Sequence, residues 1–162
     1  MPVSQGYSRT QILLHWAVAV LIVPQFLLGE NIAEAFDAWM SNAPTPFNPA
    51  VVFHVMTGLT ICALVIWRIV LRLRHGAPAP LDSGSPVMNK VASGVQHTMY
   101  LVLALMVVSG GTAWFGLIGP AAGVHNVLKL VLLLLILIHV AGALKGQFVL
   151  KNRIIARMMK AE

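Results

Sequence analysis

The sequence has few of the residues that keep a folded domain soluble in water. Only 10% of its 162 residues are charged, and only five are Asp or Glu. Water-soluble domains carry about 25% charged residues, so a soluble globular domain is excluded. A single cysteine, Cys62, also excludes an intrachain disulfide. Hydrophobic residues make up 58% of the chain and the mean hydropathy is +0.82, which indicates an integral membrane protein.

Four apolar segments are long enough to cross a bilayer. A hydrocarbon core of about 30 Å requires about 20 mostly apolar residues in a helix. Such segments cover residues 10–28, 51–71, 91–115 and 124–144. They and their connections use up the chain, so the sequence predicts an all-α, integral membrane four-helix bundle with one domain over residues 1–162. The first segment is longer than the apolar core of a typical signal peptide, so we expect it to stay in the membrane.

The charges predict how the bundle is oriented. Four basic residues flank the connection between the second and third segments, and five follow the fourth, whereas the connection after the first segment carries Glu30, Glu34 and Asp37 and no base. Cytoplasmic loops carry the excess of Lys and Arg, so both termini are expected in the cytoplasm. The net charge of +6 then comes mainly from basic residues at the cytoplasmic surface, where they face anionic lipid headgroups. No nucleic-acid partner is therefore expected.

Histidines fall at two depths in these segments. His54 and His125 lie near the outer surface, and His15 and His139, with His97 as a further candidate, lie near the inner one. The fourteen residues from His125 to His139 rise about 21 Å and end about 40° short of four full turns, so both rings share one helix face. A polar ring buried in hydrocarbon costs several kcal/mol unless it has a partner. Paired layers on different helices therefore indicate a binding role.

The chemistry of these layers favours haem. Imidazole binds zinc, copper and iron, and neither layer has a cysteine or carboxylate to complete a metal site. Two histidines suit a planar macrocycle that brings four nitrogens of its own, which is bis-histidine haem in a helical bundle. Gly58, one turn after His54, leaves room for a flat group, and Arg68 repeats the fourteen-residue interval from His54. A haem-free relay of protons through histidine, lysine and arginine is the alternative.

Several stretches resemble a known family over nearly the whole chain. They are YSRTQILLHW, HVMTGLTICALVIWRIVLRL, HTMYLVLALMVVSG, LILIHVAGALKGQF and RIIARMM. The sequence resembles the bacterial cytochrome b561 family of di-haem membrane cytochromes, which includes superoxide oxidases. It is also similar to the cytochrome b subunits of formate dehydrogenases and nickel hydrogenases. The resemblance implies two haems b, the outer held by His54 and His125 and the inner by His15 and His139.

The resemblance also implies a function with two forms. In one, the protein is an oxidoreductase that passes electrons across the membrane from an outer donor, with superoxide as a candidate, to the quinone pool. In the other, it anchors a larger dehydrogenase or hydrogenase and relays its electrons. Superoxide oxidase-like members have a longer, charged connection between the third and fourth helices, whereas here WFGLIGPAAGVHN is short and neutral.

Four further residues are candidates for cofactor contacts. Arg68 and Arg72 could neutralise propionates of the inner haem or extend to the headgroups. His97 could bind a propionate, line a quinone pocket or simply lie at the interface. Lys129, one turn after His125, could reach the outer headgroups, meet a propionate of the outer haem or attract an anionic substrate.

Overall fold

The computed structural model describes residues 6–76, 78 and 85–161, and this part of the chain contains helices and no strand. A one-turn π-helix continues the last long helix over Lys145–Val149, and a short 3-10 helix follows at Ala156–Met158. The five α-helices are α1 (Arg9–Leu27), α2 (Gly29–Met40), α3 (Pro49–His75), α4 (Pro86–Gly116) and α5 (Gly119–Leu144).

Four of these helices are long and apolar enough to cross a membrane: α1, α3, α4 and α5 with its π-helical continuation. The prediction of an all-α integral membrane bundle is confirmed. Helices α3, α4 and α5 are longer than the apolar segments, and the first turns of α3 and α4 are capped by polar side chains. Asn48 accepts a hydrogen bond from the Ala50 amide at 2.9 Å, and Ser85 accepts one from the Met88 amide at 3.2 Å.

The buried core lies in the middle of the bundle. It consists of Val18, Ile61, Val65, Val102, Leu103 and Leu132, contributed by the four long helices. Leu132 is midway between His125 and His139, and Ile61 and Val65 lie between His54 and Arg68. A packed apolar layer therefore separates the outer and inner histidines.

Two connections are more helical than the sequence indicated. Residues 29–40, expected as a loop, form α2, whose Phe36 is buried while Glu30, Glu34 and Asp37 are exposed on one face. The charges hide this helix from a hydropathy window, although their spacing has helical period. The connection WFGLIGPAAGVHN is also mostly helical, because only Leu117 and Ile118 separate α4 from α5.

Candidate functional site

A cavity of about 240 Å³ occupies the outer half of the bundle. His54 and Gly58 of α3 line it together with His125 and Lys129 of α5, and α2 closes its outer side with Phe36 and Asp37. A Cβ atom added at Gly58 would meet only the Gln25 Oε1 atom, at 3.9 Å. The glycine therefore faces open space next to His54, in agreement with the room expected there.

The ring of His125 is held by α4. Its Nδ1 atom lies 3.0 Å from the carbonyl oxygen of Met106 and 3.2 Å from the hydroxyl of Ser109. A carbonyl oxygen can only accept, so Nδ1 carries the hydrogen and donates it. In the neutral ring the lone pair is then on Nε2, which is the atom available to a metal.

The ring of His54 has a different environment. Its Nδ1 atom is buried and has no hydrogen-bond partner among the described residues. The nearby Gln25 amide donates to the carbonyl oxygen of His54, at 3.2 Å, and to the hydroxyl of Thr57 rather than to the ring. An unpaired buried polar group costs about 1–3 kcal/mol, so this ring nitrogen does not stabilise the bundle through a hydrogen bond.

The inner layer brings two histidine rings close together. The ring centroids of His15 and His139 are 6.3 Å apart and the rings are tilted by 58°. One metal ion between two imidazole nitrogens, at about 2.0–2.1 Å from each, sets the centroids about 6 Å apart. The distance between the two rings is therefore compatible with one metal ion bound by both histidines. Trp16 packs edge-on against His15 at a centroid distance of 5.4 Å.

Arg68 lies in this inner layer. Its guanidinium donates to the carbonyl oxygen of Gln11 and to the hydroxyl of Tyr100, both at 3.4 Å. It is also within electrostatic range of His15 and His139. The guanidinium thus links α1, α3 and α4 beside the histidine pair, whereas Arg72 lies one turn nearer the end of α3 and is half-buried.

The other two candidates lie in different surroundings. His97 is exposed, and its Nδ1 atom is 2.7 Å from the Ser93 carbonyl oxygen of its own helix. The structure does not pair it with a histidine of either layer. Lys129 is half-buried in the cavity wall and interacts electrostatically with His54 and His125. No three His, Cys, Asp or Glu side chains cluster in the described ranges, so a metal held here needs ligands that the bound group brings itself.

Ser109 and Gly110 were missed by the sequence analysis. A signal for them exists in the spacing, since Gly110 is seven residues before Leu117 and His125 is seven after Ile118. An antiparallel helical hairpin brings such positions to the same depth. The signal is usable only once α4 and α5 are known to be joined by two residues.

A membrane-spanning helical bundle with facing histidines, and with space for a flat group between helices, is the architecture of a membrane b-type cytochrome. The comparisons with known proteins agree. Residues 6–161 match the family described as prokaryotic cytochrome b561, and the chain belongs to that family. Haem b and electron transfer in a multi-pass bacterial membrane protein follow from this membership.

Named relatives resemble the chain over most of its length. It is 39% identical to cytochrome b562 of Cereibacter sphaeroides over 155 residues, which cover 96% of each chain. It is 30% identical to a probable superoxide oxidase CybB of Yersinia pestis, with 94% of this chain and 95% of that protein covered. Cytochrome b561 homolog 2 of Escherichia coli K12 is 28% identical over 108 residues, covering 65% of this chain and 54% of that protein.

Proposed function

We propose that the protein binds two haems b and carries electrons across the membrane between an outer donor and the quinone pool. His54 and His125 hold the outer haem, and His15 and His139 hold the inner one. The observation that carries the proposal is the facing pair of His15 and His139, at 6.3 Å, on the same α5 that brings His125 into the outer cavity. Bound haem supplies one-electron chemistry at its iron.

The chain's own residues bind and orient these groups. The Met106 carbonyl keeps the His125 hydrogen on Nδ1, which leaves Nε2 for iron. The core around Leu132 excludes water between the layers. Arg68 would balance the charge of propionates of the inner haem, and Arg72 would extend that positive charge by one turn. His97, at the depth of His139, is a propionate or quinone contact.

The proposal includes an orientation. The basic ends of α3 and the C-terminal segment lie on the side of the inner layer, and the acidic α2 lies on the side of the outer cavity. By the excess of positive charge on cytoplasmic loops, both termini are cytoplasmic and the cavity opens toward the periplasm of a bacterial inner membrane.

Superoxide is the first candidate for the outer donor. The relative named as a probable superoxide oxidase supports it, and Lys129 places a cation in the outer cavity, where it attracts an anion. Two superoxide anions give up one electron each and leave as O2, and a quinone takes up the two electrons with two protons.

A relay and anchor subunit is the second candidate, and α2 favours it. Its exposed Glu30, Glu34 and Asp37 form a negative surface over the outer cavity. Such a surface repels a small anion and suits a protein donor that presents positive charge.

The two functions are separated by experiments on the purified protein. The absorption spectrum should show reducible bis-histidine haem b, with two haems per chain by quantitation. Superoxide should reduce both haems, and an added quinone should reoxidise them. A chain without a reducible haem band contradicts the haem proposal and favours the proton relay. If superoxide does not reduce the haems but a partner dehydrogenase or hydrogenase does, the protein is a relay subunit.

A further inference from the structure

The most closely defined contact around either histidine layer is the one between His125 and α4. A Cβ atom added at Gly110 would lie 2.9 Å from the His125 Cε1 atom and 3.1 Å from its Nδ1 atom. Real Cβ atoms essentially never approach other atoms below 3.0 Å, so only glycine lets the ring come this close to the helix. Gly110 therefore determines where the ring of His125 can be.

Ser109 provides a second hydrogen-bond acceptor for the Nδ1 hydrogen of His125. Its hydroxyl donates to the carbonyl oxygen of Leu105 at 2.7 Å, so its hydrogen is already used and its lone pair faces the Nδ1 atom of His125 at 3.2 Å. Ser109 is only 7% exposed, and it is the one buried polar side chain in the described part of the chain. The His125 N–H is thus shared between two acceptors, the Met106 carbonyl and the Ser109 hydroxyl.

The partner histidine has no such support. The Nδ1 atom of His54 is buried and accepts or donates no hydrogen bond within the described residues. Hydrogen bonds that accept the outer N–H of a metal-bound histidine raise its basicity as a ligand. The two histidines of the outer layer are therefore unequal in both orientation and donor strength.

We infer that Ser109 and Gly110 form a seat on α4 that holds His125 in one orientation and one tautomer and makes it the stronger axial ligand of the outer haem. The inference rests on the proposed haem between His54 and His125. Ser109 is a positioning residue in this scheme, because it acts on the iron only through His125. A more basic ligand stabilises the ferric state, so the seat lowers the reduction potential of the outer haem.

Gly110→Ala tests the position of the ring. The new methyl group pushes His125 off the helix, so we expect loss of the outer haem and retention of the inner haem, measured by haem quantitation and low-temperature spectra. Gly94→Ala on the same helix is the matched control, since a Cβ atom there meets nothing within 4 Å. The retained inner haem shows that the variant is folded. Outer haem of unchanged content and spectrum in Gly110→Ala contradicts the seat.

Ser109→Ala tests the polarisation and does not depend on the outcome for Gly110. We expect the outer haem to stay bound and its ferrous-to-ferric ratio at a fixed ambient potential to rise about tenfold, which is 59 mV for one electron. The electron paramagnetic resonance g-values of its ferric form should also move. Thr60→Ala removes a hydroxyl with the same bond to its own helix, at 2.8 Å, on an exposed face, and should change neither reading.

The outcomes separate this inference from the proposed function. Wild-type protein with two haems, combined with a Ser109→Ala variant whose outer haem keeps its potential and g-values, overturns the tuning role of Ser109 and leaves the function intact. Wild-type protein without an outer haem overturns both. A Ser109→Thr variant, which keeps the hydroxyl, should restore the wild-type potential if the hydrogen bond is the cause.

Discussion

The outer and inner histidine layers hold their rings in different ways. The outer layer is a cavity of about 240 Å³ in which α4 fixes one histidine, whereas the other has a ring nitrogen without a partner among the described residues. The inner layer has its two rings 6.3 Å apart between centroids and tilted by 58°, and Arg68 beside them bonds to two neighbouring helices. The outer layer is thus a cavity with one histidine ring held by hydrogen bonds, and the inner layer is a pair of histidine rings whose separation is compatible with one metal ion between them.

Different segments close the two ends. At the outer end α2 covers the cavity with Phe36. At the inner end the chain after α5 folds back on α1, where the Trp16 indole donates to the Met158 carbonyl oxygen at 2.7 Å. A Cβ atom at Gly146 would lie 3.0 Å from Asn152 Oδ1, so this return is tightly packed. The inner layer is therefore braced by the C-terminal segment, and the outer layer by a surface helix.

Replacing the four histidines proposed to bind haem is expected to have the largest effect. These variants also test whether the histidines are assigned to the correct layers. His54→Ala and His125→Ala should each lose the outer haem and keep the inner one, and His15→Ala and His139→Ala should do the reverse. Haem quantitation and redox titration of each variant check this. His97→Ala is the control and should keep both haems. Loss of a haem in His97→Ala together with two haems in His15→Ala contradicts the inner pair.

The charge at the inner layer is expected to have the next largest effect. Replacing Arg68 by Met removes a positive charge next to His15 and His139, so the ferric inner haem becomes more stable. We expect its ferrous-to-ferric ratio at a fixed potential to fall about tenfold, or 59 mV. Arg72→Met should shift the same haem less, because Arg72 lies one turn farther along α3. Equal shifts in the reduction potentials of the inner and outer haems would contradict the placement of Arg68 at the inner layer.

The spans and the histidine layers could be predicted from the sequence for a simple reason. Hydropathy reports which residues face lipid, and a helix of 3.6 residues per turn converts spacing into depth and face. These two quantities place His15, His97 and His139 in the inner layer, and the resemblance to the cytochrome b561 family was needed to select His15 and His139 as the pair. The four long helices of the structure lie where that reasoning places them, with ends that differ because capping groups are polar.

The parts that sequence reasoning missed depend on contacts between helices. The seat of His125 requires Ser109 and Gly110 to face α5 at one depth, which no spacing within α4 reveals. The same holds for Gln25, whose amide joins α1 to His54 and Thr57 of α3. The helix α2 was missed for another reason, since its three acidic residues lower the local hydropathy although they occupy one exposed face.

Removing the charge of Lys129 at the outer layer is expected to change the rate of haem reduction more than the reduction potential. Lys129→Ala removes the cation of the outer cavity, so haem reduction by superoxide should slow several-fold at low ionic strength and lose its salt dependence. Glu34→Gln on the exposed face of α2 should change the rate in the opposite direction, because it removes a repelling charge. Stopped-flow reduction at two salt concentrations measures both. A Lys129→Ala rate equal to the wild-type rate at low salt refutes the steering role.

The contact between Trp16 and the C-terminal segment is expected to have the smallest effect. Trp16→Phe keeps an aromatic ring beside His15 and deletes the N–H that donates to Met158, a bond worth about 1 kcal/mol. Hydrogen exchange of residues 156–160 should accelerate up to about fivefold while both haems stay bound, since 1.4 kcal/mol corresponds to about tenfold. Trp67→Phe changes an exposed indole of α3 and should leave that exchange unchanged. If the two variants exchange alike, the C-terminal segment is held by its apolar contacts alone, and the inner end is closed no more tightly than the outer one.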